Sequence, residues 1–379
     1  MEDYIAAASR QFEELLRQQL ARQQRMAEAA QARDYAKADH IVIGLVDGDG
    51  IGPIIMAQAR RAAEKLLREE IACGRVELRQ IQGLTIENRL NRGEAVPAEV
   101  LEAIKGCDVL LKGPTTTPKG GTLESANVTL RRELDLYANV RPVSVPREGI
   151  DWIFFRENTE GEYALGSRGV EIPGELTMDF KVTTDAGTRR IARAAFDYAR
   201  ANGKTSVAIV TKANIMKKTD GMFTRIAHEV AAEYPEIQAE DWYIDIMTAN
   251  LVNPAIRSRF QVFLLPNLYG DIITDEAAQI QGGVGTAGSA NIGSRYAMFE
   301  AIHGSAPRKI ENGEGDYANP SSILKALELL LRHIAMPEKA EKLAEALRVC
   351  TEEERRVVVT GHRDGATCQA FGDYLLEKL

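Results

Sequence analysis

Short apolar runs recur along this chain at 41–46, 109–112, 152–155, 206–211 and 260–265. Between several of them the sequence follows a helical period, most clearly at 54–70, 187–202 and 219–233. A chain that alternates in this way must bury its strands against helices, which predicts an α/β architecture with substantial parallel sheet. At 379 residues it can bury a large core as two domains or one elaborate one. Near the C-terminus, residues 320–348 read as two further helices, the first capped by Ser321 or Ser322 after Asn319-Pro320.

The charge balance narrows the function classes. A net charge of −8 argues against a general nucleic-acid binder or a protein that coats anionic membranes, since both need a basic surface. An anionic substrate would need a locally basic pocket. Cys73, Cys107, Cys350 and Cys368 are scattered with no CxxC, so neither a zinc site nor a disulfide framework is indicated, and a reducing cytoplasm fits. No apolar run approaches the length of a membrane span. Residues 1–38 lack Gly and Pro, and Ile5, Phe12, Leu15, Leu16 and Leu20 recur at helical spacing. This predicts an amphipathic helical extension. Its acidic residues disfavour an organelle transit peptide, and a packing or oligomer-contact role is the simpler expectation.

The first apolar run leads into DGDGIGP, whose G-x-G-x-G-P spacing departs from the G-x-G-x-x-G dinucleotide fingerprint. A tight strand-to-helix turn explains these glycines better than a Rossmann site. After Lys112 comes a polar loop, GPTTTPKGGTLES, whose hydroxyls and backbone N–H groups could hold a ribose or an amide. In NLYGDIITDEA, Pro266 and Gly270 break the run before Asp271 and Asp275. On a helix these two carboxylates share a face and could share one hard divalent cation, although the spacing alone is common on solvated helices. Arg131, Arg141 and Arg156 lie in apolar surroundings, where a guanidinium needs an internal ion pair or a polyanionic ligand. With Ser125 and Asn127 they would suit carboxylates, which arginine grips bidentately.

The segments DGDGIGP, KGPTTTP, SANVTLRRELDLYANVRP, RENTEGEY, TKANIMKKTDG, NLYGDIITDEA and EAIHGSAP…ANP occur in this order between about residues 40 and 375. Together they resemble the isocitrate/isopropylmalate dehydrogenase family of β-decarboxylating dehydrogenases. The resemblance implies a two-domain α/β fold without a Rossmann domain, the small domain inserted in the large one. It assigns 39–136 and 283–379 to a large coenzyme-binding domain and 137–282 to a small dimerisation and metal-binding domain. It also implies a homodimer with shared active sites, a tricarboxylate or similar small-molecule substrate, Mg²⁺ or Mn²⁺, and a nicotinamide coenzyme.

Position by position, the resemblance makes Arg131, Arg141 and Arg156 the carboxylate grips, with Ser125 and Asn127 as further substrate contacts and Asn214 contacting substrate or nicotinamide across the dimer. Asp271, Asp275 and Asp245 become metal ligands, Asp245 reaching the site of the second subunit. Tyr163 and Lys212 become the catalytic acid–base pair, Lys212 acting in trans across the dimer like Asp245, a role for which tyrosine and lysine suit proton transfer at carbon and at a hydroxyl. Coenzyme contacts fall on Lys112, Thr115, Thr116, Thr117, Glu300, His303, Gly304, Ser305, Ala306, Pro307, Arg308, Lys309 and Asn319.

Isopropylmalate enzymes of the family carry leucine-like residues before the first arginine. Here Ser125, Ala126 and Asn127 stand instead, which favours a third carboxylate and hence isocitrate. Isopropylmalate, homoisocitrate and tartrate remain open, as does a non-catalytic regulatory subunit, although that alternative predicts lost chemistry residues and none of them is lost. NAD-using members resemble one another in an Asp after HGSAP. Arg308 and Lys309 occupy that region here and suit a 2′-phosphate, a patch to which Arg363 could add, so NADP is favoured over NAD. A longer loop at 303–319 keeps NAD in play through Glu311 or Glu314.

Overall fold

The computed structural model describes residues 2–27, 33–118, 123–166 and 168–379. In chain order the strands are β1 Ile41–Val46, β2 Val76–Gln80, β3 Val109–Lys112, β4 Ala138–Val145, β5 Ile150–Glu157, β6 Val170–Ile172, β7 Leu176–Met178, β8 Ser206–Thr211, β9 Gln238–Tyr243, β10 Val262–Leu265, β11 Gly288–Ile292 and β12 Ala297–Ala301. The chain divides into two compact units, one made of 1–31 and 137–277, the other of 32–136 and 278–379. No helix among the described residues is long and apolar enough to cross a membrane.

In the second unit the strands run in the order β2-β1-β3-β12-β11, parallel except for the antiparallel pair β11–β12. Every residue of β1 and β3 is buried, as expected for strands covered on both faces. Helix Gly52–Leu66 starts with Pro53 in its first turn and packs against the helices Ser321–His333 and Cys368–Lys378. The first unit carries β4-β5-β10-β8-β9, with β4 antiparallel to β5 and the rest parallel. Its core stacks Phe154 on Phe263, ring centroids 4.3 Å apart, with Trp152 edge-on to both. The hairpin β6–β7 stands apart as a two-stranded sheet.

The N-terminal extension takes the packing role expected of it, while two other local features differ from the sequence reading. The extension is a helix over Glu2–Ala27 that packs into the first unit. Leu15 is buried, and Phe12 lies 5.2 Å from the ring of Phe180. Helix Ser321–His333 takes its cap from Asn319, whose side-chain oxygen accepts the Ser321 N–H at 2.9 Å. Ser321 and Ser322 are both buried, and Ser322 accepts the Ile302 N–H while donating to the Ala287 carbonyl. Gly270, expected to break the chain into a turn, lies inside helix Asn267–Gln281, where a Cβ would sit 2.6 Å from Arg156 Cγ. The glycine makes room for an arginine, and that explains it better than a turn does.

The DGDGIGP turn ties the second unit's loops together. Gly50 has φ +58°, and a Cβ there would lie 2.0 Å from the Ser305 carbonyl oxygen. Gly74 is also left-handed, at φ +78°, but has nothing within 4 Å. Both Gly→Ala changes incur the left-handed penalty of about 1–2 kcal/mol. Gly50→Ala is expected to cost about 2 kcal/mol more than Gly74→Ala by urea unfolding, because backbone must move at Gly50 alone. Equal losses would show that the approach to Ser305 is not tight.

Candidate active site

Helix Asn267–Gln281 presents Asp271 and Asp275 on one face, as its 3.6-residue period requires. Arg141, on β4, reaches both: Nη1 donates to Asp275 Oδ1 at 3.0 Å, and Nη2 lies 3.9 Å from Asp271 Oδ1. The same Nη1 donates to the Thr274 hydroxyl at 2.6 Å. Arg156, at the end of β5, is fully buried and donates to Asp271 through Nη1. Its Nε and Nη2 both reach Asn267 Oδ1, at 3.0 and 2.7 Å. Tyr163 completes the group: its hydroxyl donates to Asp271 Oδ2 at 2.8 Å, and the Arg156 guanidinium stands 5.4 Å from its ring centroid. Five of the expected residues thus meet within the first unit. Asn267 and Thr274 belong with them and were missed from the sequence, where only the Asn that opens the helix hinted at a second acceptor.

The two aspartates keep substantial side-chain exposure, 39% and 59%. Hard oxygen donors at this spacing fit Mg²⁺ or Mn²⁺ better than a soft metal. Among the described residues no group of three His, Cys, Asp or Glu comes together to hold a metal ion. The third expected ligand, Asp245, instead accepts from Lys212 Nζ at 2.6 Å, and that bond with Lys212 holds its carboxyl below the usual range. Lys212 is fixed at its backbone N–H by Asp220 at 2.8 Å. Asn214 is exposed, and in the same segments Ile215, Met216, Tyr243, Ile246 and Val252 expose apolar side chains.

The second unit carries the remaining residues. Arg131 lies 3.2 Å from Glu300 Oε1, while Glu300 Oε2 lies 3.2 Å from the buried Lys112 Nζ. Arg131 Nε is buried with no hydrogen-bond partner among the described residues. Ser125 is the N-cap of helix Ala126–Glu133, yet its hydroxyl makes no cap bond, and Asn127 accepts from the Thr115 hydroxyl at 3.2 Å. Thr116 Oγ1 lies 2.6 Å from Ser305 Oγ. Thr117 is exposed.

Two residues that the sequence reading passed over hold this loop. Asp49 accepts the N–H groups of Thr116 at 2.8 Å and Ile86 at 2.7 Å. Buried Arg89 donates to the carbonyls of Ala95, Thr116 and Glu124, and burial lowers its pKa. An Asp between two glycines was the available signal for the first. Nothing local marks the second.

The segment after β12 forms the coenzyme-like loop. Burial lowers the His303 pKa, and its Nδ1 lies 3.0 Å from the Gly304 carbonyl. Ala306 adopts φ +45°, an uncommon conformation for a residue with a Cβ, just before Pro307 opens helix Pro307–Glu311. Arg308 is exposed on that helix, Lys309 Nζ donates to the Gly361 carbonyl, and Arg363 Nη2 reaches the Asn312 carbonyl at 3.2 Å. The three cations suggested for a 2′-phosphate therefore share one corner of the unit.

Glu300 is buried, which would raise its pKa, but Lys112 and Arg131 outweigh that and hold it at about 2. A carboxylate depressed below its unfolded value stabilises the fold above the unfolded pKa and loses that contribution as pH falls through the folded one. Glu300→Gln is therefore expected to cost about 2 kcal/mol or more at neutral pH and progressively less below about pH 5. Thermal melts across that range would measure it, and a pH-independent loss would count against the ion pairs.

A sequence model described as isocitrate/isopropylmalate dehydrogenase matches residues 42–375. A probable mitochondrial isocitrate dehydrogenase [NAD] subunit alpha of Caenorhabditis elegans is 36% identical over 347 residues, covering 89% of this chain and 92% of that protein. An isocitrate dehydrogenase [NADP] of Rickettsia felis is 40% identical over 326 residues, 83% of this chain but only 64% of that longer protein. The crystal structure of isocitrate dehydrogenase from Methylococcus capsulatus superposes with a TM-score of 0.79 at 35% identity, covering 89% of this chain and 99% of that one. With the sequence blocks in family order and the fold matching along nearly the same span, the chain belongs to the isocitrate/isopropylmalate dehydrogenase family.

Proposed function

We propose that this protein catalyses the oxidative decarboxylation of isocitrate to 2-oxoglutarate and CO₂, with hydride transfer to NADP. The observation that carries the reading is the cluster of Arg141, Arg156 and Tyr163 on the Asp271–Asp275 face of one helix. Relatives named as isocitrate dehydrogenases, some NAD- and some NADP-dependent, support the same reaction. Ser125 with a hydroxyl unused by its helix, Asn127, and the buried partnerless Nε of Arg131 favour a carboxylate over an isopropyl group as the substrate's third substituent.

In this reading Arg131, Arg141 and Arg156 orient the substrate carboxylates, which positions the 2-hydroxyl carbon for hydride loss. A Mg²⁺ or Mn²⁺ held by Asp271 and Asp275, with Asp245 of a second copy, would supply a Lewis acid for the hydroxyl and the carbonyl that replaces it. Lys212 of that second copy, steadied by its own Asp245 and Asp220, takes the hydroxyl proton. Once the carbon has lost its carboxylate as CO₂, Tyr163 delivers a proton to it. The exposed apolar side chains flanking Lys212 and Asp245 favour a homodimer as the working form. The free cysteines, Cys73, Cys107, Cys350 and Cys368, fit a reducing cytoplasm.

For the coenzyme, exposed Arg308 beside Lys309 and Arg363 favours NADP, because a guanidinium pairs with a 2′-phosphate and repels nothing on it.

Initial rates with isocitrate, Mg²⁺ and either coenzyme, read from the absorbance of the reduced nicotinamide, test the proposal directly. Turnover on isopropylmalate, homoisocitrate or tartrate in preference to isocitrate would overturn the substrate. Asp271→Asn is expected to cut kcat by about a thousandfold or more with the fold intact, since it removes a metal ligand and the Tyr163 acceptor together. Activity persisting in chelator would refute the metal assignment. Arg308→Asp is expected to shift the NADP/NAD ratio of kcat/KM toward NAD by about tenfold or more. An unchanged ratio would remove Arg308 from the coenzyme site.

A further inference from the structure

The turn between Arg156 and Tyr163 is built on two buried carboxylates. Glu157 accepts the Thr159 N–H at 2.9 Å, the Thr159 hydroxyl at 2.7 Å and the Glu160 N–H at 2.5 Å. Glu160 accepts the Thr184 N–H at 2.9 Å and the Thr184 hydroxyl, at the start of helix Asp185–Ala201. That helix bears a glycine where a Cβ at 187 would sit 2.3 Å from Glu160 Oε1. The Glu160 carbonyl accepts from Asn267 Nδ2 at 2.9 Å, and the other end of that amide holds Arg156. A hydrogen-bonded chain therefore links the carboxylate pair to Arg156, and through Asp271 to Tyr163.

Two buried carboxylates this close need cations. Arg190, on helix Asp185–Ala201, donates to the Thr159 hydroxyl at 3.0 Å. The other cation comes from the N-terminal helix: Arg22 Nη1 lies 3.2 Å from Glu160 Oε1, and Nη2 donates to Thr159 Oγ1 at 2.8 Å. Its side chain is only 13% exposed. The helix is seated for the purpose by Leu15, by Phe12 against Phe180, by Gln11 donating to the Gly169 carbonyl at 2.7 Å, and by Gln18 accepting from Arg168 at 2.6 Å. Arg22 lies outside the segment that the family sequence model matches, which begins at residue 42.

We propose that the N-terminal helix braces the catalytic turn, with Arg22 as a positioning residue that acts through Glu160 and Thr159 to hold Arg156 and Tyr163 in place. The inference rests on the reaction assigned above. Charge makes it testable. Burial, and then the neighbouring Glu160, push the Glu157 carboxyl up to about 7, against the pull of Arg190, Arg22 and the Thr159 hydroxyl. The turn depends on the ionised acceptor, so activity is lost as pH falls through that value, and removing Arg22 moves the loss to higher pH.

In the full-length protein, Arg22→Ala is expected to lower kcat by about tenfold and to shift the acid limb of the kcat–pH profile upward, with Arg22→Lys recovering part of both. Amide hydrogen exchange is expected to quicken in residues 157–163 of Arg22→Ala while the strands of the same unit keep their protection. Should Arg22→Ala prove too unstable to assay, Arg22→Gln, which keeps a donor for Thr159 but no charge, is expected to show the shifted limb. A folded Arg22→Ala with kcat within about twofold of the parent and the same acid limb would overturn the brace, as would equal behaviour of the Lys and Ala variants. If the parent does not turn over isocitrate, the reaction assignment fails on its own. The exchange of 157–163 then decides the brace, and unchanged protection in Arg22→Ala overturns it.

Discussion

A guanidinium without solvent must be surrounded by acceptors, and the first unit is arranged around that requirement at Arg156. Its three nitrogens are taken by Asn267 and Asp271, its ring-facing side by Tyr163, and its aliphatic stem lies where Gly270 has no side chain. Each acceptor sits on helix Asn267–Gln281, so satisfying one buried charge fixes the rotation of the helix that carries Asp271 and Asp275. Arg141 adds a second tether on the same face through Thr274 and Asp275. The proposed metal face is thus held in place by the arginines that would also hold substrate.

The same logic holds in the second unit on a smaller scale. Asp49 and Arg89, one accepting and one donating, fix the backbone of the loop around Thr116 from opposite sides. The left-handed glycines of the preceding turn bring it against Pro114 and Ser305 without a Cβ in the way. Lys112 and Arg131 meet on one buried carboxylate, Glu300, which keeps three charges inside an apolar sheet at a net of one positive. An overall acidic protein can in this way present local positive charge to an anion.

Buried carboxylates at Glu157 and Glu160 carry the opposite sign and take their cations from Arg190 and Arg22. An extension that composition describes only as an amphipathic helix therefore contributes a charge to the turn that ends in Tyr163. Its remaining apolar residues, Ile5, Leu16 and Leu20, stay exposed.

Periodicity and turn chemistry in the sequence were enough for the α/β alternation, for the positions of β1, β3, β8 and β10 and their helices, and for Asp271 and Asp275 on one helical face, because these depend on residues within a turn or two of one another. Ordered motifs pointed to the family and to Arg141, Arg156 and Tyr163. What the sequence misjudged or missed depends on partners far along the chain. Gly270 reads as a turn until Arg156, 114 positions earlier, is seen to need its space. Ser322 reads as a cap until the Ala287 carbonyl claims its hydroxyl. Arg22, Asp49 and Arg89 gain meaning only from groups brought beside them by folding. Local chemistry determined the elements. The tertiary structure alone decided which buried charge meets which, since burial removes water as a partner and leaves each ion to the neighbours that the fold supplies.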